Sequence, residues 1–311
     1  MTRHNLFHST AMLLAMLSLV GLIGWILAGR DGVIITVGFG SAFTIFGRGA
    51  SKNWMLKGIG ARRLKPEDAP GLYAILHELC RRAGVENPPD LHLLDAESMF
   101  GFSAGADERE ASIVLTGPLV QGLTAREIAG VLAHEVSHIH AGDLVVMGMA
   151  DMITRMTRTL SFLGLLLIIL NVPLAVSGDG HLPWAALLLL AAAPMTNMLL
   201  QLSLSRTREF DADAGGVDLS GDPQALADAL YKLEIQQRGL WSAMFLPHQP
   251  GTEPSMLRSH PVTEERVKRI LSQTPACAPL PAELVGENHG FPPGWTGELA
   301  LPIRWLMRWW R

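Results

Sequence analysis

Thr124-Ala-Arg-Glu-Ile-Ala-Gly-Val-Leu-Ala-His-Glu-Val-Ser-His-Ile-His-Ala-Gly142 is the stretch from which the rest of the chain can be read. Thr124 followed at the third position by Glu127 is a capping box, and a glycine closes the run, so the spacing predicts one helix of four to five turns. His134 and His138 are i and i+4, on one face a turn apart, which lets two imidazoles reach the same tetrahedral metal. Glu135 sits beside them, off the metal axis. From there a carboxylate can take a proton from metal-bound water as it attacks a peptide carbonyl, the chemistry that H-E-x-x-H signals. The plainer alternative is a surface helix with solvated histidines. His140 lies about 200° around the helix from His138 and is a bystander.

A catalytic zinc takes a third protein ligand and keeps a fourth position open. Ser205-Arg-Thr-Arg-Glu-Phe-Asp-Ala-Asp213 supplies a candidate, with Glu209 and Asp213 again one turn apart. Glu209 is the expected third ligand, and Asp213 the carboxylate that fixes an imidazole tautomer. These charges could instead be solvated and partly paired, and Asp211, on the opposite face, fits that alternative better.

The chain has 311 residues, 49% of them hydrophobic and only 17% charged, against the roughly 25% charged residues of ordinary soluble domains. Its mean hydropathy is +0.25. A net charge of -4 offers no basic field for a nucleic acid, so none is expected as a partner. Cys80 and Cys277 support neither a disulfide framework nor a cysteine-ligated metal.

The apolar surplus is concentrated in four runs. Ala11 to Ala28 is long enough to cross a bilayer and too long for the apolar core of a signal peptide. Gly32 to Gly47 is uncharged but glycine-bearing, a short or tilted span or else a re-entrant hairpin. Thr159–Gly178 and Gly180–Ser205, separated by Asp179, form an expected membrane hairpin that tolerates Pro173 and Pro194. Lys and Arg flank these runs at Arg48 to Arg63, at Arg155 and Arg158, and at Arg206 and Arg208, which places all three clusters in the cytoplasm. The small loops at Arg30-Asp31 and Asp179 then face the other side.

The expected organisation is therefore an N-terminal hairpin over 1–57, with spans near 10–29 and 32–48, and a first catalytic segment over 58–158. A second hairpin over 159–204 and a second catalytic segment over 205–274 follow, then a tail over 275–311. Helices are expected at 69–83, 223–237 and 263–272, and strands at 90–94 and 112–116. The tail, ending in interleaved Trp and Arg, suits a membrane interface, with a disordered tail as the alternative.

Val131-Leu-Ala-His-Glu-Val-Ser-His-Ile-His-Ala-Gly-Asp143, Ser205 to Asp213 and Leu257-Arg-Ser-His-Pro-Val-Thr-Glu-Glu-Arg266, set among four apolar runs, resemble the HtpX membrane metalloproteases, relatives of the prenyl-protein zinc endopeptidases. The resemblance reaches from the first apolar run to about residue 271. It implies a mainly α-helical membrane protein, four transmembrane helices plus a zincin-like (gluzincin) α+β catalytic domain with a small sheet. It also implies one Zn2+ per chain on His134, His138 and Glu209, and Glu135 as general base. Ser259-His260-Pro261 and Arg266 match further family positions, where His260 occludes the open metal position or, like Arg266, stabilises the oxyanion. Capping and surface roles for this pair stay open.

Phe100-Gly-Phe-Ser-Ala-Gly105 stands where relatives carry an N-A-F-A-x-G edge strand for substrate. Phe102 and Gly105 match, and the Asn is replaced, which leaves substrate preference undefined. The implied activity is hydrolysis of peptide bonds in damaged or misfolded membrane proteins at the cytoplasmic face of a bacterial-type inner membrane. The implied partners are polypeptides and the lipid bilayer. The rivals are a membrane-bound binding or chaperone-like module with a structural metal, and a prenyl-protein endopeptidase.

Overall fold

The computed structural model describes residues 3–46, 51–176, 184–244 and 263–286. The first helix, α1 (Arg3–Phe46), is broken at Ala28 and Gly29, where Ala28 takes φ -147° and Gly29 φ 58°. The chain doubles back there. A Cβ on Gly32 would lie 1.9 Å from the Gly24 carbonyl oxygen, so the two arms touch backbone to backbone. Helix α2 (Ser51–Gly58) then leads to a sheet of four strands, β1 (Arg62–Arg63), β2 (Asp90–Leu94), β3 (Gly101–Ala104) and β4 (Ser112–Thr116). Their order is β1-β2-β4-β3; β2 and β4 run parallel, and β3 pairs antiparallel with β4 as an edge strand.

Helices α3 (Pro70–Ala83), α4 (Gly117–Gly122) and α5 (Ala125–His140) complete the first segment. The predicted capping box forms at the start of α5, Thr124 accepting from the Glu127 amide and Glu127 Oε2 accepting from the Thr124 amide at 2.7 Å. Ile128, Leu132 and Val136 of α5 point into the core with Leu76 and Leu79 of α3 and Leu91, Ile113 and Leu115 of the central strands. This apolar stripe faces the sheet, so the helix must turn its histidines the other way, against α7.

Two long helices follow, α6 (Asp143–Val176) and α7 (Trp184–Ser220). They pass through residues 158 and 204 without a break, so the expected edges between membrane and catalytic segments fall inside continuous helices. Met16 and Val20 of α1 pack with Ala150 and Ile153 of α6 and Leu204 of α7, and Ile23 packs with Leu190 and Ala193. Inside this bundle Asn197 donates to Thr157, and Thr154 donates to Gln201 at 2.7 Å. Leu17, Trp25, Phe162, Leu166, Ile169, Leu170 and Leu188 face outward. An outer surface of large apolar side chains around a polar-stitched interior is what lipid solvation requires.

Three helical stretches among the described residues are long and apolar enough to cross a membrane: Phe7–Thr36, Asp143–Leu170 and Trp184–Ser220. The expectation was four. After the break at Gly29 the second run is a separate arm ending at Phe46, shorter than the roughly 20 residues a full crossing uses. The tail also departs from expectation. Residues 275–286 belong to the folded domain: Leu280 is buried in the core beside α3, Ala278 accepts from Arg82, and α10 (Ala282–Val285) follows. Helices α8 (Pro223–Met244) and α9 (Thr263–Ser272) pack on each other beside α7. The Trp- and Arg-rich end and the Asp179 loop lie outside the described residues.

Candidate active site

Helix α7 crosses α5 at the histidines. A Cβ on Gly216 would stand 3.2 Å from the His134 Cα, so the helices approach as closely as glycine allows. That crossing brings His134, His138 and Glu209 together, with one donor atom from each lying within 4.8 Å of the others. The two Nε2 atoms are 3.1 Å apart, and the rings stand at 89°. Glu209 oxygens lie 3.8 Å from His134 Nε2 and 3.7 Å from His138 Nε2.

Each imidazole has a carboxylate behind it. Asp143 Oδ2 is 2.7 Å from His138 Nδ1, and Asp213 Oδ1 is 3.1 Å from His134 Nδ1. Carboxylates at both Nδ1 atoms place the protons there and leave both Nε2 lone pairs aimed at one point. Each carboxylate in turn meets an arginine. Arg266 donates from Nε and Nη2 to the two Asp213 oxygens, both at 2.7 Å, and its Nη1 lies 3.1 Å from Glu209. Arg208 Nε lies 2.6 Å from Asp143 Oδ1.

This geometry suits a divalent cation. Tetrahedral Zn–N bonds of about 2.0–2.1 Å separate two nitrogens by about 3.4 Å, close to the 3.1 Å between these two. Five carboxylates (Glu135, Glu209, Asp143, Asp211 and Asp213) face two guanidinium groups here, an excess of negative charge that a dication would offset. Burial works against a charged His138, but the Asp143 hydrogen bond and the negative charges of Glu135 and Glu209 prevail and hold it up at about 9.

Glu135 is 6% exposed and, with His138 and Glu209, lines a cleft of about 680 Å³. Edge strand β3, including Phe102, and Gly105 just after it form one wall. Phe102 stacks on Phe100 and packs near Leu56 and Val114. Gly105 is also where the chain passes the Glu110 carbonyl, which a Cβ would approach to 2.7 Å. Asp107 caps the short turn at 108–110 as part of an exposed loop. His140 is exposed.

One expectation needs revision. All three Arg266 nitrogens lie against carboxylates, so it is placed to position Asp213 and Glu209 rather than to reach an oxyanion. His260 lies outside the described residues. Asp143 and Arg208 were not singled out at all. Asp143 ended the quoted motif without a role, and Arg208 was read only as a charge flanking the membrane. The available signal was Gly142-Asp143: a left-handed glycine (φ 72°) turns the chain so that the next helix starts against the one before it.

A centre of this kind, at the mouth of a bundle of membrane-length helices, belongs to a membrane-integrated metallopeptidase. Residues 66–274 match the model of Peptidase family M48. The chain belongs to that family. Its relatives include proteins named Protease HtpX homolog. The one from Methylibium petroleiphilum is 29% identical, over 87% of this chain and 98% of its own. Those of Polynucleobacter necessarius (30%; 85% and 95%) and Persephonella marina (32%; 84% and 95%) are similar over nearly as much. The crystal structure of S. mikatae Ste24p superposes with a TM-score of 0.47 at 20% identity, over 84% of this chain and 62% of that one.

Proposed function

We propose that the protein is a zinc endopeptidase holding one Zn2+ on His134, His138 and Glu209, with Glu135 as general base. Its substrates are misfolded or damaged membrane proteins, cut at the cytoplasmic face of a bacterial-type inner membrane. The observation that carries this reading is the convergence of the two Nε2 atoms, 3.1 Å apart, with Glu209 beside a cleft that also holds Glu135. Bound zinc supplies an acidified water and polarises the scissile carbonyl.

The protein's own groups do the rest. Glu135 accepts the proton and passes it to the leaving amine; Asp143 and Asp213 hold the imidazole tautomers; β3 offers an edge on which an extended substrate backbone can align. His260 remains the candidate for occluding the open position or for donating to the oxyanion. The arm from Arg30 to Phe46 is taken as a fourth, short crossing, matched by local thinning of the bilayer. This puts the basic clusters at Lys52 to Arg63, at Arg155 and Arg158, and at Arg206 and Arg208 on the cytoplasmic side, where the charge rule wants them.

The deciding experiment purifies wild type and Glu135→Gln in detergent with zinc and follows casein cleavage. The variant is expected to keep about one zinc per chain while cleavage falls by about a hundredfold to ten-thousandfold. Equal cleavage would overturn the assignment in favour of a binding module with a structural metal. Cytoplasm-only reporters fused after Lys57 and after Thr274 should both be active, and silence at either point would reverse the orientation.

A further inference from the structure

The cleft does not end at the metal cluster. It continues along the first three turns of α6, where its wall includes Met147, Gly148, Asp151, Met152 and Arg155. At 100° per residue Gly148, Asp151 and Arg155 share one row of the helix, with Met147 and Met152 flanking Gly148. Gly148 is exposed, and a Cβ placed on it would meet nothing within 4 Å. A mid-helix glycine costs about 0.5–1 kcal/mol relative to alanine, and at Gly148 no neighbouring side chain or backbone occupies the space that would excuse it. Met147 and Met152 are both partly exposed. Across the gap, Met55 of α2 and Phe102 of β3 line the other side, packed on Leu56 and Val114.

We infer that Gly148, walled by Met147, Met152, Met55 and Phe102, is the floor of a subsite that takes one large apolar side chain of the substrate, beside the bond to be cut. This rests on the endopeptidase reading and deepens it by naming the side-chain class. The missing side chain at 148 makes the room, and the thioethers make the wall apolar and compliant. Unbranched methionine side chains repack around Leu, Phe or Met alike, so the subsite selects size and apolarity over shape. The same helix becomes uncharged from Thr159 onward, so apolar substrate segments leaving the bilayer along α6 meet this floor first. Asp151 and Arg155, paired at 2.7 Å, close its membrane end.

The test maps every casein bond cut by the zinc-loaded enzyme, by mass spectrometry, in wild type, Gly148→Ala, Gly148→Leu and Glu135→Gln. Leu, Met and Phe should dominate one position flanking the cut bond. Gly148→Leu should lower cutting at those bonds by about tenfold or more, the discrimination typical of apolar pockets, and spare bonds with Ala or Ser at that position. Gly148→Ala should fold at least as well as wild type and show the same bias in milder form.

Binding is read separately on the Glu135→Gln background, by fluorescence anisotropy of two labelled peptides differing only by Leu or Ala at the mapped position. Adding Gly148→Leu should weaken the Leu peptide about tenfold and the Ala peptide less than threefold. Cleavage dependent on Glu135 but with no apolar enrichment, or weakened equally at all bonds by Gly148→Leu, overturns the subsite and leaves the endopeptidase reading standing. Absence of Glu135-dependent cleavage overturns that reading, and the subsite falls with it.

Discussion

The two imidazoles of the centre are held by the same kinds of groups, a carboxylate and then an arginine, but the two arms are built differently. Behind His138, Asp143 is five residues away and accepts a 2.7 Å hydrogen bond from the ring, while Arg208 of α7, 1% exposed, meets it through one 2.6 Å contact and lies 3.8 Å from Asp211. Behind His134 the arm is assembled from distant parts of the chain. Asp213 comes from α7, and Arg266 comes from α9 with two aligned hydrogen bonds and a third contact to Glu209. The first arm rests on one close buried charge pair, with Asp211 at longer range, and the second is a braced fork. Removing a member should therefore have unequal costs.

The largest effect is expected for Asp143→Ala. It leaves a fully buried guanidinium with only a longer, 3.8 Å contact to Asp211, and breaking such a pair costs up to about 3–5 kcal/mol. Asp213→Ala should destabilise less, because Arg266 keeps Glu209. Thermal unfolding in detergent measures both, and equal losses would erase the asymmetry. Next in size are the isosteric changes. Asp143→Asn and Asp213→Asn should each weaken zinc binding by about 10–100-fold in a chelator competition, with the greater loss at Asp143, whose contact to its imidazole is the shorter.

The arginines sharpen the contrast further. Arg266→Lys keeps the charge but loses the fork, an expected loss of about 1.5–3 kcal/mol for a hydrogen bond to a charged group. Arg208→Lys, replacing a single contact, should cost less than about half of that. Unfolding midpoints of the two variants, taken side by side, check the order.

The smallest effect lies away from the centre. Hydrogen bonds from Arg81 and then Arg82 pull the Glu78 carboxyl down to about 2. A depressed carboxylate stabilises the fold above its unfolded value and loses that contribution as pH falls towards about 2. Glu78→Gln should thus lower stability slightly at pH 7 and flatten the acid-unfolding curve between about pH 4 and pH 2, the difference from wild type vanishing towards pH 2.

Much of this centre could be read before any coordinates. The i, i+4 spacing on one capped helix announces His134 and His138, because helical periodicity alone puts them on one face. Glu209 is harder: its one-turn spacing from Asp213 made it a candidate third ligand, but solvated charge stayed open as the alternative until the resemblance favoured it, since nothing local ties it to a helix some seventy positions earlier. Asp143 and Arg208 were illegible for a different reason. Their meeting depends on the left-handed turn at Gly142 and on where α7 lies across α5, and neither follows from local pattern. Arg266 was noticed, but its partners were not, because a fork to Asp213 spans more than fifty residues of chain. In the membrane half, hydropathy identified all four apolar runs, yet the break at Ala28 and Gly29 and the continuity of α6 and α7 into the catalytic half are matters of backbone geometry that composition does not report.

The contact at Gly216 has one further consequence. Where two rods cross with no side chain between them, the gap separating an imidazole on one from a carboxylate on the other is inherited from the crossing itself. With that gap set by the helix crossing, stripping the metal with a chelator should leave the scaffold upright, and reloading should proceed without a refolding lag.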